Sequence, residues 1–208
     1  MHIDTIFENN QKWVSEKLDL DRDYFRNLAK GQHPEILYIG CSDSRVTAED
    51  MMGAQPGDMF VHRNIANLVP NTDINAMSVI NYAIEHLKVK DVVVCGHYEC
   101  GGIKAAMVAQ DLGILTPWLR NIRDVFRLHK EELNSIGKEA DRYRRLVELN
   151  VQEQCVNVLK TPEAQLAFQA GQIEIHGWVF DVSSGRIIDL KIDFPKLVGG
   201  IREIYSLT

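Results

Sequence analysis

Three residues combine type and spacing in a way that could do chemistry: Cys41 in GCSDSR (40–45), and His97 and Cys100 in GHYECGG (96–102). His97 and Cys100 stand three apart in a glycine-flanked turn and can reach one metal ion. Cys41 follows a separate apolar run and supplies a third donor if the two loops converge. Two thiolates and an imidazole suit zinc, and three protein ligands leave a fourth position open, the pattern of a catalytic rather than a structural site. Asp43 is close enough to Cys41 to fill that position itself, and Arg45 can draw it away into a bidentate pair. With Asp43 on Arg45 the position is free for water, whose proton Asp43 can accept. With Asp43 on the metal the site is closed. Two thiolates weaken the acidity that zinc confers on water, so activity is expected to favour mildly alkaline pH.

The elements that must position these residues follow from periodicity. EILYIG (35–40), GDMFVHRN (57–64) and DVVVCG (91–96) read as strands, with an amphipathic helix over 73–87 capped by Asp73 between the last two. That βαβ order favours a parallel sheet, and the near-continuous apolar runs suit strands buried on both faces. Ligands gather outside the carboxyl ends of such strands, where Cys41, His97 and Cys100 all fall. Ile6, Phe7, Trp13, Val14 and Leu18 mark a first helix, and Asp21 is expected to cap a second. Further helices are expected over 103–110, 118–133 and 141–160, two strands joined by Ser-Ser-Gly over 172–192, and a short helix over 194–205. The expected architecture is one α/β domain, 1–208, with a mostly parallel central sheet flanked by helices and an N-terminal helical extension.

Composition narrows the function classes. A net charge of −6 and a pI near 5.6 argue against a nucleic-acid binder, which needs a concentrated basic surface. The single basic stretch, DRYRR (141–145), reads as a solvated helix face. No targeting segment and no apolar run long enough for a membrane is present, so a cytoplasmic protein is expected. Of the four cysteines, Cys95 and Cys155 have apolar neighbours at strand and helix spacing and read as buried small hydrophobes.

Taken in order and separation, CSDSR, HRNIAN and GHYECGG resemble the motifs of the β-class carbonic anhydrases, and the resemblance extends from the N-terminal helices through IHGWVFD (175–181). It implies one Zn2+ per chain on Cys41, His97 and Cys100, with Asp43 as a further ligand in a closed state only. It implies an Asp43–Arg45 dyad and reversible hydration of carbon dioxide to bicarbonate and a proton, by attack of zinc-bound hydroxide. It also implies a homodimer or a dimer-of-dimers tetramer, with 1–30 as a helical arm packing on a partner subunit. By motif position, Gln32 and the backbone N–H of Gly102 would be donors to substrate oxygen, and Phe60, Ile65 and Tyr82 would line an apolar pocket for carbon dioxide. Relatives on this scaffold hydrolyse carbon disulfide or carbonyl sulfide, the nearest alternative; a non-enzymatic, structural metal is the other. One departure concerns the second, non-catalytic bicarbonate site of some bacterial members: Tyr38 and Phe180 stand where those have Trp and Tyr, Thr47 where they have Pro, and only Arg63 is retained, so inhibition through that site is in doubt. His62, His86, His129 and His176 are conceivable proton carriers.

Overall fold

The computed structural model describes residues 2–204, which divide into two compact units, 2–33 and 34–204. In the first, a 3-10 turn (Ile3–Thr5) leads into α1 (Ile6–Leu20) and α2 (Tyr24–Leu28). The helices are joined by an aromatic cluster in which Phe25 meets Trp13 and Tyr24 edge-on, with centroids 5.2 and 5.0 Å apart. Asp21 does not cap α2 as expected. Its carboxylate accepts from the Asp23 N–H (2.9 Å) and its carbonyl from Tyr24 (3.1 Å), a side-chain-stabilised turn between the helices.

The second unit runs β1 (Ile36–Cys41), α3 (Ala48–Met52), β2 (Met59–Asn64), a 3-10 turn (Ile65–Asn67), α4 (Ile74–Asn81) and a π-helical turn (Tyr82–Leu87). It continues with β3 (Asp91–His97), α5 (Gly101–Ala106), α6 (Leu115–Leu128), α7 (Lys130–Ser135) and α8 (Glu139–Leu159). It closes with α9 (Pro162–Gln169), β4 (Glu174–Asp181), β5 (Arg186–Asp189) and α10 (Phe194–Ile204). Asp73 caps α4 through its side chain, accepting from Asn75 N–H at 3.0 Å. The helix expected over 118–133 breaks at His129 into α6 and α7, and α3 and α9 were not expected. Tyr205, the last residue of the expected terminal helix, lies outside the described residues.

The sheet order is β2-β1-β3-β4-β5, with the first four strands parallel and β5 antiparallel to β4. The chain steps from β1 to β2 on one side and then crosses to place β3 on the other. The carboxyl ends of β1 and β3 therefore flank a topological switch point, the place where ligands gather in open parallel sheets. Side chains alternate as a two-residue period requires. Leu37, Ile39, Cys41, Val92 and Val94 face the large core shared with the helices, whereas Tyr38, Val93 and Cys95 face a smaller cluster with Ala48. Each fully buried Leu or Ile of the large core stabilises the fold by about 1.5–3 kcal/mol, which fixes β1 and β3 as rigid supports for the loops they carry.

Candidate metal centre

Cys41 is the last residue of β1, and His97 the last of β3. After His97 the chain makes a tight turn through Glu99, which takes a left-handed φ of 60°, and enters α5 with Cys100 at its N-cap. The turn brings the donor atoms of Cys41, His97 and Cys100 within 4.8 Å of one another, and all three residues are buried. The two sulfurs are 4.0 Å apart, close to the roughly 3.8 Å that two 2.3 Å zinc–sulfur bonds subtend at tetrahedral angles.

The imidazole supplies the sharpest indication of a ligand. His97 Nδ1 is 2.9 Å from the Tyr98 carbonyl, which can only accept, so the ring proton sits on Nδ1. Nε2 is then a bare lone pair, and it is buried without a protein partner. A buried polar atom left unpaired is costly, and a metal-ligating histidine characteristically gives its other nitrogen to a carbonyl in this way. The thiols fit the same ion, since none is in a disulfide. Cys41 is pulled down by the Cys100 thiol, against the opposing effect of burial, with the backbone N–H groups of Ala66 and Asp43 assisting. Cys100 is pushed up by the Cys41 thiolate and by burial.

Asp43 is turned onto Arg45. Its two oxygens accept from Arg45 Nε (2.9 Å) and Nη2 (2.8 Å), and Oδ1 also accepts from the Arg45 backbone N–H (3.0 Å). These bonds hold the carboxyl far below the usual aspartate range. Asp43 Oδ2 is 3.9 Å from His97 Nε2, so the ionised carboxylate borders the donor triad.

Residues 36–187 match the family model described as carbonic anhydrase. A carbonic anhydrase of Emericella nidulans is 56% identical over 206 residues, covering 99% of this chain and 90% of that protein. Among solved structures, the β-carbonic anhydrase CafA of Aspergillus fumigatus superposes with a TM-score of 0.91 at 37% identity, over 99% of each chain. The structure described as one of two tetrameric β-carbonic anhydrases from Sordaria macrospora gives 0.86 at 43% identity, over 89% of this chain and 95% of that one.

The chain belongs to the β-carbonic anhydrase family.

Within this β-carbonic anhydrase fold the residues expected to line the pocket form two pairs. Phe60 and Tyr82 meet with ring centroids 5.7 Å apart, and Tyr82 opens the π-helical turn and lies against His86. Ile65 and Gly102 form the other pair: a Cβ on Gly102 would come within 2.9 Å of Ile65 Cγ2 and 3.2 Å of Ala66 Cβ, so only glycine permits this approach. Gln32 belongs to the N-terminal unit.

Arg63 has a role that the sequence did not disclose. Register places it beside Gly40, and it donates to the carbonyls of Cys41 (2.8 Å), Asp43 (2.7 Å) and Val46 (2.7 Å). Its Nε and Nη2 are thereby committed to holding the CSDSR loop. Nearby, Tyr38 is buried with its hydroxyl closed off from solvent, and Phe180 packs in the same small cluster. The loop after β2 is held from α8 by a buried amide pair: Asn150 donates to Ala66 O (3.1 Å), and Gln154 Oε1 accepts from Val69 N–H (2.8 Å). Two amides on an otherwise apolar helix face were the available signal. Of the candidate proton carriers, His129 is paired with Glu153 (2.9 Å) and His176 with Asp91 (2.7 Å). His62 is buried and contacts Asn64, and burial lowers its pKa.

DRYRR is not a solvated face. Arg142 donates to Ile136 O (3.0 Å), Arg144 stacks on the Tyr98 ring, and Arg145 is paired with Glu148 and Glu132. Glu148 lies three residues along the same helix, but Glu132 of α7, Ile136 just beyond it and Tyr98 of the turn after β3 are partners that no local pattern reveals.

Proposed function

We propose that this chain catalyses the reversible hydration of carbon dioxide to bicarbonate and a proton, with one zinc ion held by Cys41, His97 and Cys100. The observation that carries the reading is the unpartnered His97 Nε2, buried opposite two free cysteine sulfurs and bordered by a carboxylate locked on an arginine. Zinc supplies a Lewis acid that lowers the pKa of water from 15.7 to about 7 with histidine ligands, and less far with two thiolates.

The chain's own residues supply orientation and proton handling. Asp43 is kept ionised by Arg45 and can accept the proton of a water placed beside the donor triad. Released from Arg45, it would become the fourth ligand and close the site. Phe60, Ile65 and Tyr82 offer the apolar surface that an uncharged linear substrate needs, while Gly102 N–H offers a donor to its oxygens; Gln32 is proposed as a second donor on motif position alone.

The arm at 1–30 is assigned to packing on a partner subunit, in a homodimer or tetramer. Its exposed Ile3, Phe7 and Leu20, and the tetrameric relatives from Sordaria macrospora, support that assignment. Cys95 and Cys155, free thiols outside the proposed zinc site, support the cytoplasm as the compartment. No helix among the described residues is long and apolar enough to cross a membrane. Stopped-flow assay of the purified protein with carbon dioxide tests the reading. Hydrolysis of carbon disulfide or carbonyl sulfide without hydration of carbon dioxide would overturn it.

A further inference from the structure

Three successive carbonyls in the turn that carries His97 and Cys100 are each held by a side-chain donor. Tyr98 O accepts from His97 Nδ1 (2.9 Å), Glu99 O from Arg45 Nη2 (3.0 Å), and Cys100 O from the Tyr143 hydroxyl (3.0 Å). The turn needs such support, because Glu99 is a non-glycine residue in the left-handed region. The Tyr98 side chain is gripped in turn by α8. Its hydroxyl donates to Glu148 Oε1 at 2.7 Å, and the Arg144 guanidinium lies 3.6 Å from its ring centroid. Arg145 Nη1 fixes the other oxygen of Glu148 at 2.8 Å. One stretch of α8 therefore grips the residues on both sides of Glu99, one of them the carbonyl that orients His97 and the other the cysteine itself.

We propose that Tyr143, Arg144 and Glu148 are positioning residues that set how tightly the His97–Cys100 turn holds its metal ion. The inference rests on the metal reading above. Outer groups that orient ligands typically govern affinity on the order of tenfold or more when removed.

The experiment uses the full chain. Zinc affinity is measured by competition with a chromophoric chelator, and the visible spectrum is recorded after cobalt substitution, for wild type, Tyr143→Phe and Tyr98→Phe. Each variant should bind zinc on the order of tenfold more weakly and shift the thiolate-to-cobalt band. Glu148→Gln, which keeps an acceptor for the Tyr98 hydroxyl, should lose less than Glu148→Leu. Each tyrosine variant removes a single oxygen, so either decides the matter if the other fails to fold. Lowered melting temperatures with unchanged zinc affinity and unchanged cobalt spectra would reduce α8 to a merely structural role and overturn the inference alone. A wild type that takes up no metal would overturn the metal reading, and the inference with it.

Discussion

Gly96 stands immediately before His97 on β3, where the strand passes under α8, and the structure fixes what a methyl there would do. A Cβ at this position would lie 2.6 Å from Val151 Cγ2, while Asn67 Oδ1 at 3.4 Å and Val147 Cγ1 at 3.6 Å are tolerable neighbours. Ordinary carbon–carbon contact is about 3.5–4.0 Å, so strand and helix must separate by about 1 Å. Val151 cannot rotate away, because it is fully buried and a β-branched residue in a helix has one strongly preferred rotamer. Overpacking of this kind costs about 1–3 kcal/mol, and the reduced freedom of the unfolded chain returns about 0.4–1 kcal/mol. Gly96→Ala should therefore destabilise by about 1–2 kcal/mol, a fall in Tm of roughly 2–8 °C for a chain of this length. The assay is thermal unfolding at one fixed protein concentration, since oligomerisation makes Tm concentration-dependent. Val151→Ala should partly relieve the clash, leaving the double variant about 1 kcal/mol more stable than the sum of the single effects. A wild-type Tm for Gly96→Ala, or strict additivity with Val151→Ala, would refute the packing argument.

Arg63→Met removes the guanidinium bonds to the carbonyls of Cys41, Asp43 and Val46, and should destabilise by about 2–3 kcal/mol in denaturant titration while lowering bound zinc. The Asp43 carboxyl lies below its unfolded value, so the dyad's stabilisation is present above the ordinary aspartate range near about 3.9 and is lost as pH falls through the folded value. Arg45→Gln should return Asp43 toward that range, as read by carboxyl-carbon NMR titration; an unmoved Asp43 would contradict the assigned cause. Stripping the metal should expose Cys41 to thiol reagents at neutral pH, while Cys95, pushed up to about 12 by burial, stays silent until the protein unfolds. Equal reactivity of the two cysteines in folded apoprotein would argue against the electrostatics described.

The parts of this molecule legible in the sequence are those written locally. β1 and β3 announce themselves as apolar runs because they are buried on both faces, and Cys41, His97 and Cys100 stand out because glycines flank them. Their convergence follows from the rule for strand ends. α9 carried a signal in Thr161 followed by Pro162 at its first turn, whereas α3 is five residues closed by a left-handed Gly53, too short for periodicity to register. What the sequence could not reveal depends on register and distance along the chain. Arg63 reaches the CSDSR loop only because β2 pairs with β1 so that it lies opposite Gly40. Tyr143 reaches Cys100 across 43 residues, and nothing in DRYRR itself distinguishes a stacked arginine from a solvated one. Phe60, Ile65, Tyr82 and Gln32 were singled out by resemblance alone, since an apolar wall for a small substrate has no pattern distinct from core.

The central claim is that hydration of carbon dioxide depends on a zinc ion at Cys41, His97 and Cys100. The most direct test is stopped-flow hydration by one preparation, stripped of metal and then reloaded stepwise with zinc, from about pH 6.5 to about pH 9. Activity that rises in proportion to bound zinc, saturates at about one ion per chain and increases with pH is the predicted result. Hydration independent of zinc, or none at any pH with the site fully loaded, would contradict the account.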